Sequence, residues 1–155
     1  MKLRWPKRLH RFTRKSLELR QATPADAEPL SVLYEACMRP YAEAFYPWDH
    51  HRFLDDFDPA EIEVLDFQGR MIGLLRTKFS DEFVYLAEVQ IHENHRNRGL
   101  GSELVKLTLQ RAAALDLPVR LRVLRNNPAL HLYERLGFEQ VGEGACDLIL
   151  QHPAN

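Results

Sequence analysis

The chain has 155 residues, 45% hydrophobic and 28% charged, with a formal net charge of −1. That length suits one domain with a core of its own, and the composition excludes collagen-like, low-complexity and disulfide-framework classes. No apolar run approaches the ~20 residues of a membrane-spanning helix, so no membrane insertion is expected.

Cys37 and Cys146 lie far apart and in no CxxC arrangement, which points to two free thiols rather than a disulfide framework or a zinc site. His50, His51, His92, His95 and His131 show no coherent metal spacing, and no metal is assigned. The N-terminus lacks an apolar stretch behind its basic residues, so no secretory signal is read and a cytoplasmic location is expected. Charge is unevenly spread: residues 1–15 hold seven Lys or Arg and no acid, leaving 14 basic against 22 acidic residues downstream. The expected organisation is a flexible basic extension over 1–15 and one domain over 16–155. Such an arm can attract nucleic acid or anionic lipid.

In chain order, "SLELRQA" alternates with period two and predicts a strand. "TPADAEPLSVLYEACM" predicts a helix with Thr23 as N-cap, Pro24 in the first turn and Asp26 as capping-box acid, although Pro29 allows a later entry at Asp26. "MRPYAEAFYPWDHHRFLDDFDP", punctuated by Pro40, Pro47 and Pro59, predicts a loop and a short helix. "EIEVLDFQGRMIGLLRTKFS" predicts two strands joined by a hairpin at Gln68 and Gly69. "EFVYLAEVQIH" is apolar on both faces in its first half and predicts a central strand. Leu100, Leu104, Leu107, Leu109, Ala112 and Leu115 recur at helical spacing. "PVRLRVL" predicts a strand, "NPALHLYERLG" a helix closed by Gly137, and "FEQVGEGACDLILQ" a final hairpin. The order is βα(α)βββαβαββ, in the α/β (α+β) class.

Between the central strand and the long helix stands "HRNRGLG". A strand ending in RxxGxG and opening straight into a helix gathers unpaired first-turn N–H groups around one point, which attracts anions. Gly99 and Gly101 let a pyrophosphate approach the backbone, and Arg96 and Arg98 add favourable charge. Taken alone, this pattern also fits a solvated basic loop. The Walker pattern GxxxxGK[ST] is absent, and three candidate strands precede the turn, unlike a dinucleotide-binding βαβ unit.

The segment "VQIHENHRNRGLGSELV", followed by "LRVLRNNPALHLYERLGF", resembles the GNAT superfamily of N-acetyltransferases. Arg96, Gly99 and Gly101 match its acyl-CoA motif, Q or R, two residues, G, one residue, G or A. Asn126, Ala129, Tyr133, Gly137 and Phe138 match the later signature N-x-x-A-x-x-x-Y-x-x-x-G-F. Many members carry glycine where Asn97 stands and proline where Glu93 stands; Asn tolerates left-handed geometry better than most residues. The resemblance covers about residues 16–151 and implies a mixed, largely antiparallel sheet of six or seven strands flanked by helices.

It further implies acetyl-CoA as cosubstrate, its diphosphate on the backbone of Asn97, Arg98, Gly99, Leu100, Gly101 and Ser102, and its pantetheine arm along the strand edge at Val89, Gln90 and Ile91. Asn126 would bond the pantetheine; capping of the following helix is the other use of this residue, with Asn127 as the competing cap. A tyrosine at the position of Tyr133 would protonate the leaving thiolate. The residues themselves must supply a base, since an amine near pKa ~10.4 is mostly charged at neutral pH. Glu88, alternating onto the face of Gln90 and His92, is the candidate. "RPYAEAFYPWDHH" offers Tyr41 and Trp48 to the acceptor amine. The expected function is acetyl transfer to a primary amine, on a small molecule or an exposed protein group, by direct attack in a ternary complex. The alternatives are a non-catalytic acyl-CoA-binding module and a nucleic-acid binder using the basic arm, although nucleic acid is not the expected partner. A homodimer is compatible with the sequence.

Overall fold

The computed structural model describes Trp5 and residues 16–154. Leu17–Gln21 (β1), Ile62–Phe67 (β2), Arg70–Phe79 (β3), Val84–Ile91 (β4), Val119–Leu124 (β5), Glu139–Glu143 (β6) and Asp147–His152 (β7) form one seven-stranded sheet in the order β1-β2-β3-β4-β5-β7-β6. Every neighbouring pair is antiparallel except β4 and β5. The helices are Ala27–Ala42 (α1), Arg52–Asp55 (α2), Leu100–Ala113 (α3) and Ala129–Arg135 (α4). Class, strand number and element order agree with the sequence reading.

Local chemistry explains the joints. Gln68 and Gly69 both take positive φ, 51° and 79°, as a tight hairpin turn between β2 and β3 demands. At the entry to α1 the Thr23 N–H donates to Asp26 at 2.8 Å across a short 3-10 turn. Arg20 donates to both Asp26 oxygens at 2.9 and 3.0 Å and to Asp66 at 2.6 Å, tying β1, α1 and β2 together. That guanidinium holds the Asp26 carboxyl down at about 2.

One sequence expectation changes here. The loop foreseen after Met38 begins later, because α1 runs through Pro40 to Ala42. Leu30, Leu33, Cys37 and Ala42 share a buried face, and a proline one turn from the helix end removes a single backbone bond. Packing of that face outweighs the loss.

Helices cover both faces of the sheet. Leu30, Leu33 and Cys37 of α1 and Phe53 of α2 pack on Ile62, Val64 and Leu74. On the opposite face Val105 and Ala112 of α3 and Tyr133 of α4 join Val84, Leu86, Leu121 and Leu150, while Leu100 and Leu104 meet Leu65, Ile72 and Ile91. Trp5 docks on this sheet as well. Its indole N–H donates to Thr77 at 3.2 Å, its ring meets Phe79 edge-on at 4.5 Å, and the Arg111 guanidinium lies 5.5 Å over it. The expectation of a flexible extension otherwise concerns residues 1–4 and 6–15, outside the described residues.

β4 is irregular on both edges. Toward β3 the pairing skips Ala87, with Arg76 opposite Glu88 and Thr77 opposite Leu86. Such an extra residue bends the strand and shifts its alternation. Val84 and Leu86 before it, and Val89 and Ile91 after it, therefore all face the α3 side. Tyr85 and Glu88 turn to the other side, where Gln90 donates to Glu88 at 2.8 Å. Toward β5, pairing covers only Val84↔Val119 and Tyr85↔Arg120, whereas β5 remains paired with β7 through Leu124. The two central strands diverge into a wedge.

Candidate active site

The wedge opens a cleft of about 650 Å³ that runs from the N-terminus of α3 to the underside of α1 and α2. From Leu86 onward the β5-facing edge of β4 has no strand partner among the described residues. An edge of this kind inside a sheet accepts an extended chain bearing amide groups.

At one end lies the turn before α3. Asn97 and Gly99 adopt left-handed φ values of 61° and 77°, and Gly99 is the N-cap. The first helical bond there is Glu103 N–H to the Gly99 carbonyl at 3.0 Å, which leaves the N–H groups of Leu100, Gly101 and Ser102 free to meet an anion. A Cβ at Gly101 would touch only Leu132, at 3.8 Å, an ordinary contact. Packing among the described residues does not require glycine at that position, which faces the cleft. Arg96 turns back on the strand, donating to the Ile91 carbonyl at 3.0 Å and to the Cys37 thiol at 3.3 Å. It braces the turn against β4 and α1, and burial pushes the Cys37 thiol up, against the pull of Arg96.

At the wedge's centre stand Glu88 and Tyr133, approaching from opposite faces of the sheet. Burial lifts the Glu88 carboxyl from 4.5 to about 7, with the Gln90 hydrogen bond and the charges of Arg76, Arg52 and Lys78 opposing. Tyr133, 9% exposed and edge-on to Phe138 at 5.6 Å, has its phenol raised well above 10 by burial and by Glu88. Its hydroxyl bonds no described residue and is not sealed from the cleft it lines, which leaves a protonated donor facing that space.

The structure brings most of the sequence-derived candidates to this cleft: Glu88, Tyr133, Tyr41, the Val89 to Ile91 edge, Arg96, Asn97, and Gly99 to Ser102 all line it. Three stand elsewhere. Arg98 lies on the outer side of the turn and is exposed. Asn126 donates to the Tyr41 carbonyl at 3.1 Å, joining the end of β5 to that of α1. Trp48 lines a neighbouring shallow depression and reaches the cleft through Tyr34, whose ring is 5.6 Å away. The competing cap is the one used: Asn127 accepts from Ala129 N–H at 3.0 Å. The Ile91 carbonyl is already taken by Arg96, so the free edge groups lie upstream of it.

Sequence reasoning passed over Tyr34, Tyr85, Arg52 and Lys78, which surround Glu88. Helical spacing of Tyr34 with Leu30, Cys37 and Tyr41 was an available signal. For Tyr85 the signal was the phase break at Leu86 and Ala87 within "VYLAEVQI".

This divided sheet, the glycine-containing turn at the head of α3, and Glu88 and Tyr133 on one cleft define an α/β protein with its cleft inside the sheet, and residues 20–138 match the acetyltransferase (GNAT) family. The chain belongs to that family. A mycothiol acetyltransferase of Thermomonospora curvata is 33% identical over 100 residues, a match covering 63% of this chain and 33% of that protein. The chain thus spans only part of this curated relative. Among solved structures, the PaiA N-acetyltransferase of Thermoplasma acidophilum in complex with coenzyme A superposes with a TM-score of 0.74 at 16% identity, over 89% of this chain and 99% of that one. An acetyltransferase of Thermus thermophilus gives 0.71 at 24% identity, over 89% and 97%. The ribosomal-protein-S18-alanine N-acetyltransferase of Escherichia coli gives 0.70 at 17%, over 90% and 94%. These similarities establish the shared fold.

Proposed function

We propose that the chain is an acetyl-CoA-dependent N-acetyltransferase whose acceptor is a primary amine, and that the transfer is direct, within a ternary complex. The observation that carries this reading is the pairing of Glu88 and Tyr133 across one wedge, next to a turn that suits a diphosphate. Acetyl-CoA supplies the activated thioester carbonyl. The N–H groups of Leu100, Gly101 and Ser102 hold its diphosphate, and the unpaired edge of β4 takes its pantetheine amides in place of a strand. A backbone N–H on that edge donates to the carbonyl oxygen as charge develops there.

Glu88 receives the proton that the ammonium must lose before its nitrogen can attack, directly or through water. A carboxyl near 7 suits this role, because a base matched to the working pH combines a useful ionised fraction with proton affinity. Tyr133 donates its proton to the sulphur as the C–S bond breaks. The second proton of the attacking nitrogen leaves through solvent and restores the phenol. The acceptor enters from the α1 and α2 face, past Tyr34 and Tyr41, so attack and departure occur on opposite sides of the thioester.

The test is thiol release from acetyl-CoA against a panel of amines, alongside calorimetric binding of acetyl-CoA. Turnover that falls about 100-fold or more in Tyr133→Phe and in Glu88→Gln, with acetyl-CoA affinity retained, is the expected result. Tight binding with no turnover on any amine would leave an acyl-CoA-binding module instead.

A further inference from the structure

The acceptor half of the cleft carries more positive charge than an amine site needs. Apart from Arg96 of the turn and Arg135 of α4, the charged lining of the cleft is Arg52, Arg76, Lys78 and Arg122 against Asp56, Glu88 and Asp147. Two of the cations are engaged. Arg76, 6% exposed, donates to Glu61 at 2.9 Å and to the Asp56 carbonyl at 2.6 Å. Arg122 rests against Asp147 at 3.4 Å.

Arg52 and Lys78 differ from these. Both line the cleft, both are exposed, and neither side chain hydrogen-bonds or ion-pairs with a described residue. They come from separate elements: Arg52 opens α2, and Lys78 lies two residues beyond Arg76, the cross-strand partner of Glu88. The positive fields of both reach the Glu88 carboxyl. A lone exposed cation is ordinary solvated surface. Two unpaired cations converging on a cleft, beside the group assigned to the acceptor amine, set the charge of what may enter. A polycationic amine meets repulsion there, whereas an acceptor with an acidic group gains attraction and orientation.

We propose that the acceptor is a small molecule carrying a carboxylate as well as its amine, the nitrogen directed to Glu88 and the carboxylate held by Arg52 and Lys78. The inference rests on the acetyltransferase reading for its transfer step, but the recognition can be measured without turnover. While the amine is still an ammonium, Glu88 supplies the negative charge on its side, so the site is complementary to a zwitterion.

The experiment compares α-, β- and γ-amino acids with their matching amides, as acceptors and as ligands of the protein–coenzyme A complex by calorimetry. The amide has the less basic amine and differs in intrinsic reactivity, so the quantity read is the acid-to-amide preference of each variant relative to wild type, in which that difference cancels. At least one acid is expected to be preferred over its amide. That preference is expected to drop about tenfold in the Arg52→Gln, Lys78→Gln double variant, to invert in Arg52→Glu, Lys78→Glu, and to weaken as salt rises. An acid-to-amide preference unchanged by these substitutions, in turnover and in binding alike, overturns the inference. Charge-dependent acid binding with no turnover supports the inference while the acetyltransferase reading fails; turnover confined to amides or polyamines, indifferent to both positions, retains that reading and overturns the inference.

Discussion

Glu88 shows how burial shapes a single residue's chemistry. Desolvation is the largest influence on its carboxyl, and three nearby cations with one hydrogen bond return part of the shift, leaving it at about 7 rather than 4.5. If the ionised form accepts the proton, kcat/KM rises with pH through about 7 and then levels. The limb should vanish in Glu88→Gln, as a pH–rate profile will show. Stability runs the other way. A carboxyl whose native pKa is raised binds its proton more tightly folded than unfolded, so its stabilising contribution is full below 4.5 and lost as pH climbs to about 7. Glu88→Gln should therefore exceed wild type by on the order of 2 kcal/mol at pH 8 and match it near pH 4, by denaturant midpoints at both pH values. Gly101 makes a second case. Since a Cβ there meets nothing closer than 3.8 Å, Gly101→Ala should melt like wild type yet bind coenzyme A about tenfold more weakly by calorimetry.

At the scale of the element, the bulge at Ala87 decides which side chains reach the cleft. With strict alternation from Leu86, Glu88 and Gln90 would point into the α3-side core and Val89 and Ile91 toward the cleft. Deleting Ala87 should instead make the ladder regular with Glu88 directly after Leu86, so that Glu88 and Gln90 keep the cleft side while the bend of the strand is lost. The expected outcome is a chain that still unfolds cooperatively in chemical denaturation but binds coenzyme A about tenfold more weakly by calorimetry, because the straightened strand narrows the opening toward β5, whereas Ala87→Ser, which keeps the residue count, binds like wild type. The same irregularity contributes to the bend that parts β4 from β5 after Tyr85 and Arg120. α1 shows the converse: Pro40 signalled a stop, yet the apolar face of Leu33, Cys37 and Ala42 carried the helix past it.

Across the whole molecule, both sheet faces are covered by helices, and Trp5 adds a contact from outside the domain bounds read in the sequence. Its ring meets Phe79 and Arg111 and its N–H reaches Thr77, all on the sheet and α3 rather than in the cleft. Trp5→Ala should lower stability by about 1–2 kcal/mol, read as a melting temperature a few degrees lower. Coenzyme A affinity should be unchanged in the same variant.

Much of this arrangement was legible in one dimension, because strand alternation, helical spacing and turn chemistry are local. Strand and helix order, the Gln68–Gly69 hairpin and the left-handed Asn97 and Gly99 at the head of α3 follow from such rules. Tertiary structure decided the rest, since the answers depend on residues distant in sequence. Arg96 carried the pattern of an anion ligand, but the Ile91 carbonyl and Cys37, 59 positions away, draw its guanidinium inward. Asn126 carried two uses in the sequence, a pantetheine contact and a helix cap for which Asn127 competed, until Tyr41, 85 positions from Asn126, engaged one and the first turn of α4 the other. The opening between β4 and β5 is likewise no property of either strand: it exists because β5 follows β7 while β4, paired along its length with β3, does not.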